Sequence, residues 1–234
     1  MFNGERNTNA DANFAKMKKP VDVDYLPIDN EEWWKIHVKY FIFDRQGLDI
    51  TCAEFQHPNP RANVVLITGW NETFLKYSIL IKSIYDAGFS IYTYDHQSQG
   101  FSGRWVAERQ STWVHSFNDY VDDFVSFVNI IIKTNAYIPI YLVAHSMGCL
   151  ISAIGMARHP QLINRAVLSS PMFRSKCGLK AFDYKYPIPQ PLVHFFTYIV
   201  CKAGLGFLHA IGFNKENPID RIKVKLTTDR YINK

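Results

Sequence analysis

Tyr141-Leu142-Val143-Ala144-His145-Ser146-Met147-Gly148-Cys149-Leu150 reads as an apolar strand, a sharp turn centred on a serine, and the first turn of a helix. The pattern is a nucleophile elbow, GxSxG, with one letter changed: Gly148 keeps the second glycine and Ala144 stands at the first. Small residues two places either side of the serine let strand and helix approach closely, while the turn holds the serine in strained backbone geometry. A Ser-Met-Gly turn also arises from plain packing, so the pentapeptide takes its meaning from the chain around it.

Upstream of the elbow, strands and helices alternate, which is the signature of a parallel sheet covered on both faces. Residues 37–43 and 48–55 read as two strands joined by the turn Asp44-Arg45-Gln46-Gly47, an antiparallel start. A buried strand follows at 64–68, a helix at 75–87 stopped by Gly88, and a strand at 89–94 closing on Asp95. Phe117, Tyr120, Val121, Phe124, Val125, Val128 and Ile131 mark a long amphipathic helix, with Asp119, Asp122 and Asp123 read as its solvated or capping groups. Residues 150–157 continue the elbow helix to His159-Pro160, and 166–169 form another strand.

After Pro171 the alternation stops. Pro187, Pro189 and Pro191 space an extended stretch, and 192–213 is apolar and aromatic. Its length approaches a bilayer span, but Lys202, His194, His209 and three glycines point instead to one or two lid helices with a greasy face. Three regions result: an irregular lead-in at 1–36 anchored by Trp33-Trp34, a core at 37–171, and a lid or cap at 172–234.

The 234 residues are 47% hydrophobic, enough to bury a large core. The net charge of +5 is unevenly placed: 172–234 holds 11 Lys+Arg against 4 Asp+Glu, leaving 15 against 17 in the rest. Such a basic, aromatic segment suits an anionic lipid surface or head group, and equally a solvated helical face. No nucleic-acid partner is expected. Residues 1–19 are polar and of mixed charge, so neither signal peptide nor anchor is read there and a cytoplasmic location is expected. Cys52, Cys149, Cys177 and Cys201 are widely spaced without a CxxC pair, which suggests reduced, mostly buried thiols and neither zinc nor a disulfide framework.

An acyl-transfer site needs a nucleophile, a base, a group orienting the base, and donors where the oxyanion forms. Ser146 is the candidate nucleophile, at the carboxyl end of its strand. The backbone N–H of Met147 follows it as one oxyanion donor, and the N–H of Trp70, in Thr68-Gly69-Trp70-Asn71-Glu72 after the third strand, is the candidate second.

Three separated motifs then carry a family resemblance: Thr68 to Glu72 followed by Lys76-Tyr77; Tyr94-Asp95-His96-Gln97-Ser98-Gln99-Gly100-Phe101-Ser102-Gly103-Arg104; and Ala144 to Gly148. From about His37 onward the chain resembles the monoacylglycerol lipase and lysophospholipase branch of the α/β-hydrolases, the serine aminopeptidase-like group. The resemblance implies an α/β-hydrolase fold with a helical lid and a serine hydrolase of lipid carboxylic esters, monoacylglycerol or lysophospholipid, that needs no metal or organic cofactor. Peripheral membrane contact through the lid would go with it.

Departures are equally plain. Thr68 stands where the family usually has histidine, Gln97-Ser98 replace Arg-Gly, and Ala144 replaces glycine; a glycine in place of Ser98 would serve a backbone angle that serine dislikes. In the family the triad aspartate and histidine lie on later strand ends, and neither is assignable in this chain: His37, His57, His96 and His115 precede the elbow, His145 adjoins the serine and points elsewhere, His159 follows a helix, and His194 and His209 fall in the lid. Asp183, Asp220 and Asp229 read as surface charges. The expectation is a fragment of a longer hydrolase whose last strands are missing. The alternative is a non-catalytic hydrolase-fold protein that binds lipid or a partner, and peptidase or acyltransferase chemistry is not separable by fold.

Overall fold

Arg45 and Leu48 close a tight hairpin between β1 (Val38–Arg45) and β2 (Leu48–Phe55). Its two loop residues, Gln46 (φ 59°) and Gly47 (φ 86°), are both left-handed, the requirement of a type I′ turn, whose twist matches that of the strands it joins. The Gly47 N–H donates to Asp44 Oδ1 at 3.2 Å, so the turn carries its own lock. The computed structural model describes residues 30–107, 111–134, 137–173 and 190–203. The chain divides into two compact units, Met1–Ser175 and Lys176–Lys234.

In the first unit six strands form one sheet in the order β1-β2-β4-β3-β5-β6, with β3 (Asn63–Ile67), β4 (Ser90–Tyr94), β5 (Ile140–His145) and β6 (Arg165–Ser169). The hairpin and the β2/β4 pair are antiparallel; β4/β3, β3/β5 and β5/β6 are parallel. This is the mostly parallel, mixed sheet expected from the alternation. The period of two sorts the side chains: Val65, Ile67, Tyr92 and Tyr94 join one core with helices α3 (Phe117–Thr134) and α4 (Met147–Arg158). Leu66 and Ile91 join the other core, with α1 (Glu31–His37) and α2 (Ser78–Asp86). Helices therefore cover both faces, and β3 and β4 are buried throughout. Among the described residues the sheet ends at β6, where Val167 is 63% exposed.

Two local readings need correction. The lead-in is not irregular to residue 36: Glu31–His37 is helical, with Glu31 and Glu32 in its first turn and Lys35 in its last, each sign at the favourable end of the helix dipole. Burial drives it, since Trp34 sits against Phe55 and Phe74 and donates its indole N–H to Tyr40 Oη at 2.7 Å. Seven residues with two tryptophans give no periodicity to read. The helix expected at 75–87 is split: Thr73 opens a 3-10 turn, Phe74–Tyr77, and α2 begins only at Ser78.

The aspartates of α3 divide by role. Asp119 caps the start of the helix by accepting from Ser116 N–H at 2.9 Å, while the Ser116 hydroxyl accepts from Asn118 N–H at 3.2 Å, and Asp122 is exposed near Arg158. Asp123 corrects the expectation of a solvated group: its side chain is 1% exposed and pairs with Arg45 Nε at 2.7 Å. Gln97 donates to its other oxygen at 2.7 Å and accepts from the Trp105 indole at 2.7 Å. The glutamine is thus wired into the site of the family's usual arginine, while Arg45 of the hairpin brings the charge that the buried carboxylate needs.

In the second unit, α5 (Gln190–Lys202) leaves Leu192, Phe195, Phe196 and Ile199 exposed at helical spacing, with Tyr198 beside them. Phe182, Tyr184, Tyr186, Phe207, His209 and the later aspartates and lysines of the lid expectation lie outside the described residues, as does most of the lead-in. Among the described residues no helix is long and apolar enough to cross a membrane. Cys52 and Cys149 are buried free thiols, and Cys177 falls outside.

Candidate functional site

Ser146 joins the carboxyl end of β5 to α4 with φ 51° and ψ −116°, a conformation that β-carbon sterics make costly. Three backbone hydrogen bonds hold it there. Its N–H donates to the Ser169 carbonyl at 3.0 Å, and its carbonyl accepts from the N–H groups of Met172 and Cys149, each at 3.1 Å. The strain is therefore anchored on β6 and the chain just beyond it. A serine so turned stands at the end of the parallel strands, where open sheets of this kind bind ligands.

The elbow sits against β3 because Gly148 has no side chain. A β-carbon there would lie 2.5 Å from the Thr68 carbonyl oxygen and 2.7 Å from that of Ile67. Ala144, at the first elbow position, is fully buried within β5, opposite Ile67 of β3 and Leu168 of β6, so the extra methyl is accommodated as ordinary core.

Facing the elbow, the loop after β3 carries Gly69, Trp70, Asn71 and Glu72. The Gly69 N–H donates to Glu72 Oε2 at 2.8 Å, and the Asn71 N–H donates to Gln99 Oε1 at 2.5 Å. Asn71 is left-handed at φ 57°, a conformation asparagine tolerates. Trp70, whose ring is partly exposed, donates its indole N–H to Thr112 at 2.9 Å. Met147, after the serine, is buried at the first residue of α4.

Glu72, a letter of the first motif with no role legible from sequence, is the most heavily bonded side chain of this loop. Its Oε2 also accepts from the Tyr77 hydroxyl at 2.5 Å and lies 3.4 Å from His145 Nδ1, and its Oε1 pairs with Lys76. Burial favours its neutral form, but the bonds from Lys76, Tyr77 and Gly69 outweigh that and hold the carboxyl below its usual range. Burial and the Glu72 carboxylate push the Tyr77 hydroxyl far above the ordinary phenol range.

Behind the site, Asp95 fastens two loops to the end of β4. It accepts from Phe74 N–H and Phe101 N–H, each at 2.9 Å, and from the Thr73 hydroxyl at 3.0 Å. Burial raises its pKa to about 7 against the pull of those bonds. Gly100, left-handed at φ 49°, lets the loop pass, since a β-carbon there would lie 2.0 Å from Asp95 Oδ2. Ser98 adopts φ 61°, the left-handed angle expected of a glycine at that position. It is held by its N–H bond to the Gly103 carbonyl at 2.8 Å and by Arg104 on its own carbonyl.

Thr68, in place of the family's usual histidine, is fully buried, and its carbonyl accepts from His96 Nε2–H at 3.0 Å. Burial lowers the His96 pKa to about 4, so the ring is neutral at pH 7. An unfolded histidine titrates near 6.5, so the stability tied to a neutral His96 is complete above about pH 6.5 and declines as pH falls toward 4. Asp95, raised in the same range, acts oppositely and flattens the wild-type profile. The His96→Gln variant loses only the first effect. Its melting temperature relative to wild type is expected to improve as pH falls from 7 to 5, by the equivalent of about 2 kcal/mol; an unchanged difference would contradict a buried, neutral His96.

Among the described residues, five histidines have contacts away from Ser146, His96 among them. His145 faces Glu72, His37 Nδ1 lies 2.7 Å from the Trp33 carbonyl, His57 packs on Tyr85, and His115 lies between Trp105 and Trp113. None of these four, nor His96, hydrogen-bonds Ser146.

A family model described as serine aminopeptidase, S33, matches residues 58–202, more than half the chain. Lysophospholipase L2 of Escherichia coli K12 is 37% identical over 110 residues, 47% of this chain and 32% of its own length. The probable lysophospholipase L2 of Haemophilus influenzae is 34% identical over 133 residues, 57% of this chain and 40% of its own. The monoacylglycerol lipase of Mycolicibacterium smegmatis is 29% identical over 121 residues, 52% and 41%. The matched stretches thus span between about a third and two fifths of these relatives. Among solved structures, a thermostable carboxyl esterase from Bacillus coagulans superposes with a TM-score of 0.55 at 17% identity, covering 71% of this chain and 51% of that one. With the sheet order, the helices on both faces and the strand-to-helix turn at Ser146, these matches establish that the chain has the α/β-hydrolase fold and belongs to the serine aminopeptidase S33 family.

Proposed function

We propose that the intact protein hydrolyses a carboxylic ester of a lipid, a lysophospholipid or a monoacylglycerol, through an acyl-enzyme on Ser146. The observation that supports it most is the strained turn at Ser146, φ 51° between β5 and α4, a conformation that ordinary packing does not require. The names of the matched relatives supply the substrate class.

In this reading the Ser146 oxygen attacks the acyl carbonyl as a base takes its proton, the lipid alcohol leaves with a proton, and water releases the fatty acid. The N–H groups of Met147 and Trp70 hold the oxyanion. The base is none of the histidines at 37, 57, 96, 115 and 145, whose contacts lie elsewhere. The exposed apolar side of α5, with Phe195, Phe196 and Ile199, would rest on a lipid surface.

A panel of lysophosphatidylcholine, monoacylglycerol, a short soluble ester and a peptide amide tests the substrate class. Turnover of either lipid ester well above the amide is expected. Lipid binding without turnover of any ester would favour a non-catalytic binding protein instead.

A further inference from the structure

Glu72 ties together the two walls of the site. Its side chain is 9% exposed, and all four donors around it come from the protein. Within its own loop it takes the Gly69 N–H at 2.8 Å, the Tyr77 hydroxyl at 2.5 Å and the Lys76 ammonium. Across the site it faces Nδ1 of His145, the residue before Ser146, at 3.4 Å. A carboxylate only accepts, so His145 carries its proton on Nδ1 in this contact. Oε2 takes the Gly69, Tyr77 and His145 contacts and Oε1 the Lys76 ammonium, so both oxygens are engaged by the protein.

We infer that Glu72 is a positioning residue for the oxyanion donors, setting the peptide that carries the Trp70 N–H and holding that loop to the elbow that carries Ser146 and Met147. The inference rests on the proposed hydrolase reading. Gly69 precedes Trp70, so fixing the Gly69 N–H on Glu72 fixes the peptide plane ahead of it. On the other side, Gln99 fixes the Asn71 N–H at 2.5 Å and is itself held by its amide donating to Tyr120 Oη at 3.0 Å. Trp70 is thus clamped from both neighbours. An oxyanion donor works only if it is aimed in advance where charge develops, and a misplacement of about 1 Å is enough to cost about 10²-fold in rate. A buried carboxylate beside such a site is costly unless fully bonded, and here it is bonded entirely by the two segments that must stay in register. With both oxygens engaged by the protein and the Gly69 N–H among its donors, Glu72 acts on the reaction through the backbone.

The test is steady-state ester hydrolysis and fluorophosphonate labelling of the intact protein as wild type, Glu72→Ala, Glu72→Gln and Tyr77→Phe. Glu72→Ala is expected to lose about 30- to 100-fold in kcat with KM within about threefold, since aimed donors act on the transition state more than on bound substrate. Glu72→Gln should recover most of that loss, because its amide oxygen still accepts from Gly69 and Tyr77. Tyr77→Phe, which removes one of the bonds orienting the carboxylate, should lose a few-fold in kcat. Wild-type kcat in Glu72→Ala, a rise in KM at unchanged kcat, or a Glu72→Gln variant as slow as Glu72→Ala would each overturn the role. If Glu72→Ala does not fold, Tyr77→Phe decides, and an unchanged kcat there overturns it. A wild type that neither labels nor turns over ester would overturn the hydrolase reading and this inference with it, whereas an active wild type beside an equally active Glu72→Ala would overturn the role of Glu72 alone.

Discussion

Ser146→Ala in the intact protein is expected to abolish ester turnover, with kcat falling on the order of 10⁴-fold or more while the fold is retained. The hydroxyl is the atom that would form the acyl-enzyme, and no neighbouring side chain substitutes for it: Cys149 Sγ, one helical turn away, is directed at the Ala144 and Ser169 carbonyls at 3.2 and 3.3 Å. Alanine also keeps the β-carbon, so the anchoring bonds of the elbow to Ser169 and Met172, which are backbone only, persist. The melting temperature should therefore stay close to wild type or rise slightly, and the loss would belong to chemistry. A variant retaining more than about a hundredth of wild-type turnover would point to a different nucleophile.

Gly148→Ala carries the second large effect, and here two terms oppose. Within a helix alanine is favoured over glycine by about 1 kcal/mol. Against that, the new methyl would meet the carbonyl oxygens of Thr68, just after β3, and of Ile67, its last residue, at 2.5 and 2.7 Å, and the Ile67 side chain at 2.8 Å. β3 is the central strand, hydrogen-bonded on both sides, so it has no room to withdraw. The overpacking term, about 3 kcal/mol or more, wins. The other outlet is a shift of α4 away from the sheet, which would carry the Met147 N–H with it and cost about 10²-fold in kcat per ångström. Loss of both stability and turnover is expected, read by thermal unfolding and by steady-state hydrolysis of the same preparation. Ala144→Gly makes the contrast: it removes a buried methyl from β5 and should cost about 1 kcal/mol with activity kept.

Much of the frame was legible because it depends on local rules. The turn Asp44-Arg45-Gln46-Gly47 between two strand-like runs announces a hairpin, although pairing runs on to Arg45 and leaves only Gln46 and Gly47, both left-handed, in the loop. The elbow was legible for a similar reason, and the angle at Ser98 followed from the glycine that the resemblance places there. What stayed hidden depends on partners distant in sequence. Asp123 looks like any polar residue of an amphipathic helix, and only folding brings it Arg45, 78 residues away, and Gln97. The short helix at Glu31–His37 exists because Trp34 is buried, a tertiary cause that seven residues cannot show. Glu72 was visible as a letter in a motif, with Lys76 and Tyr77 at helical spacing from it. Its reach to His145, 73 residues on, was not.

The departures from the family's usual letters are also resolved in physical terms. Gln97 is satisfied at both ends, Ala144 is core, and Ser98 keeps its angle through its bond to Gly103 and the Arg104 contact. Thr68 is the exception: its carbonyl is bonded to His96, but its buried hydroxyl has no partner among the described residues, and nothing in the structure explains the choice of threonine there.

The most direct measurement is to react the intact protein with a fluorophosphonate and locate the adduct by peptide mass spectrometry. A single adduct on Ser146, formed at a rate that falls when a lysophospholipid or monoacylglycerol competes, is the predicted result. An adduct on another residue, or none on a protein that does hydrolyse the ester, would contradict the assignment of Ser146 as the nucleophile.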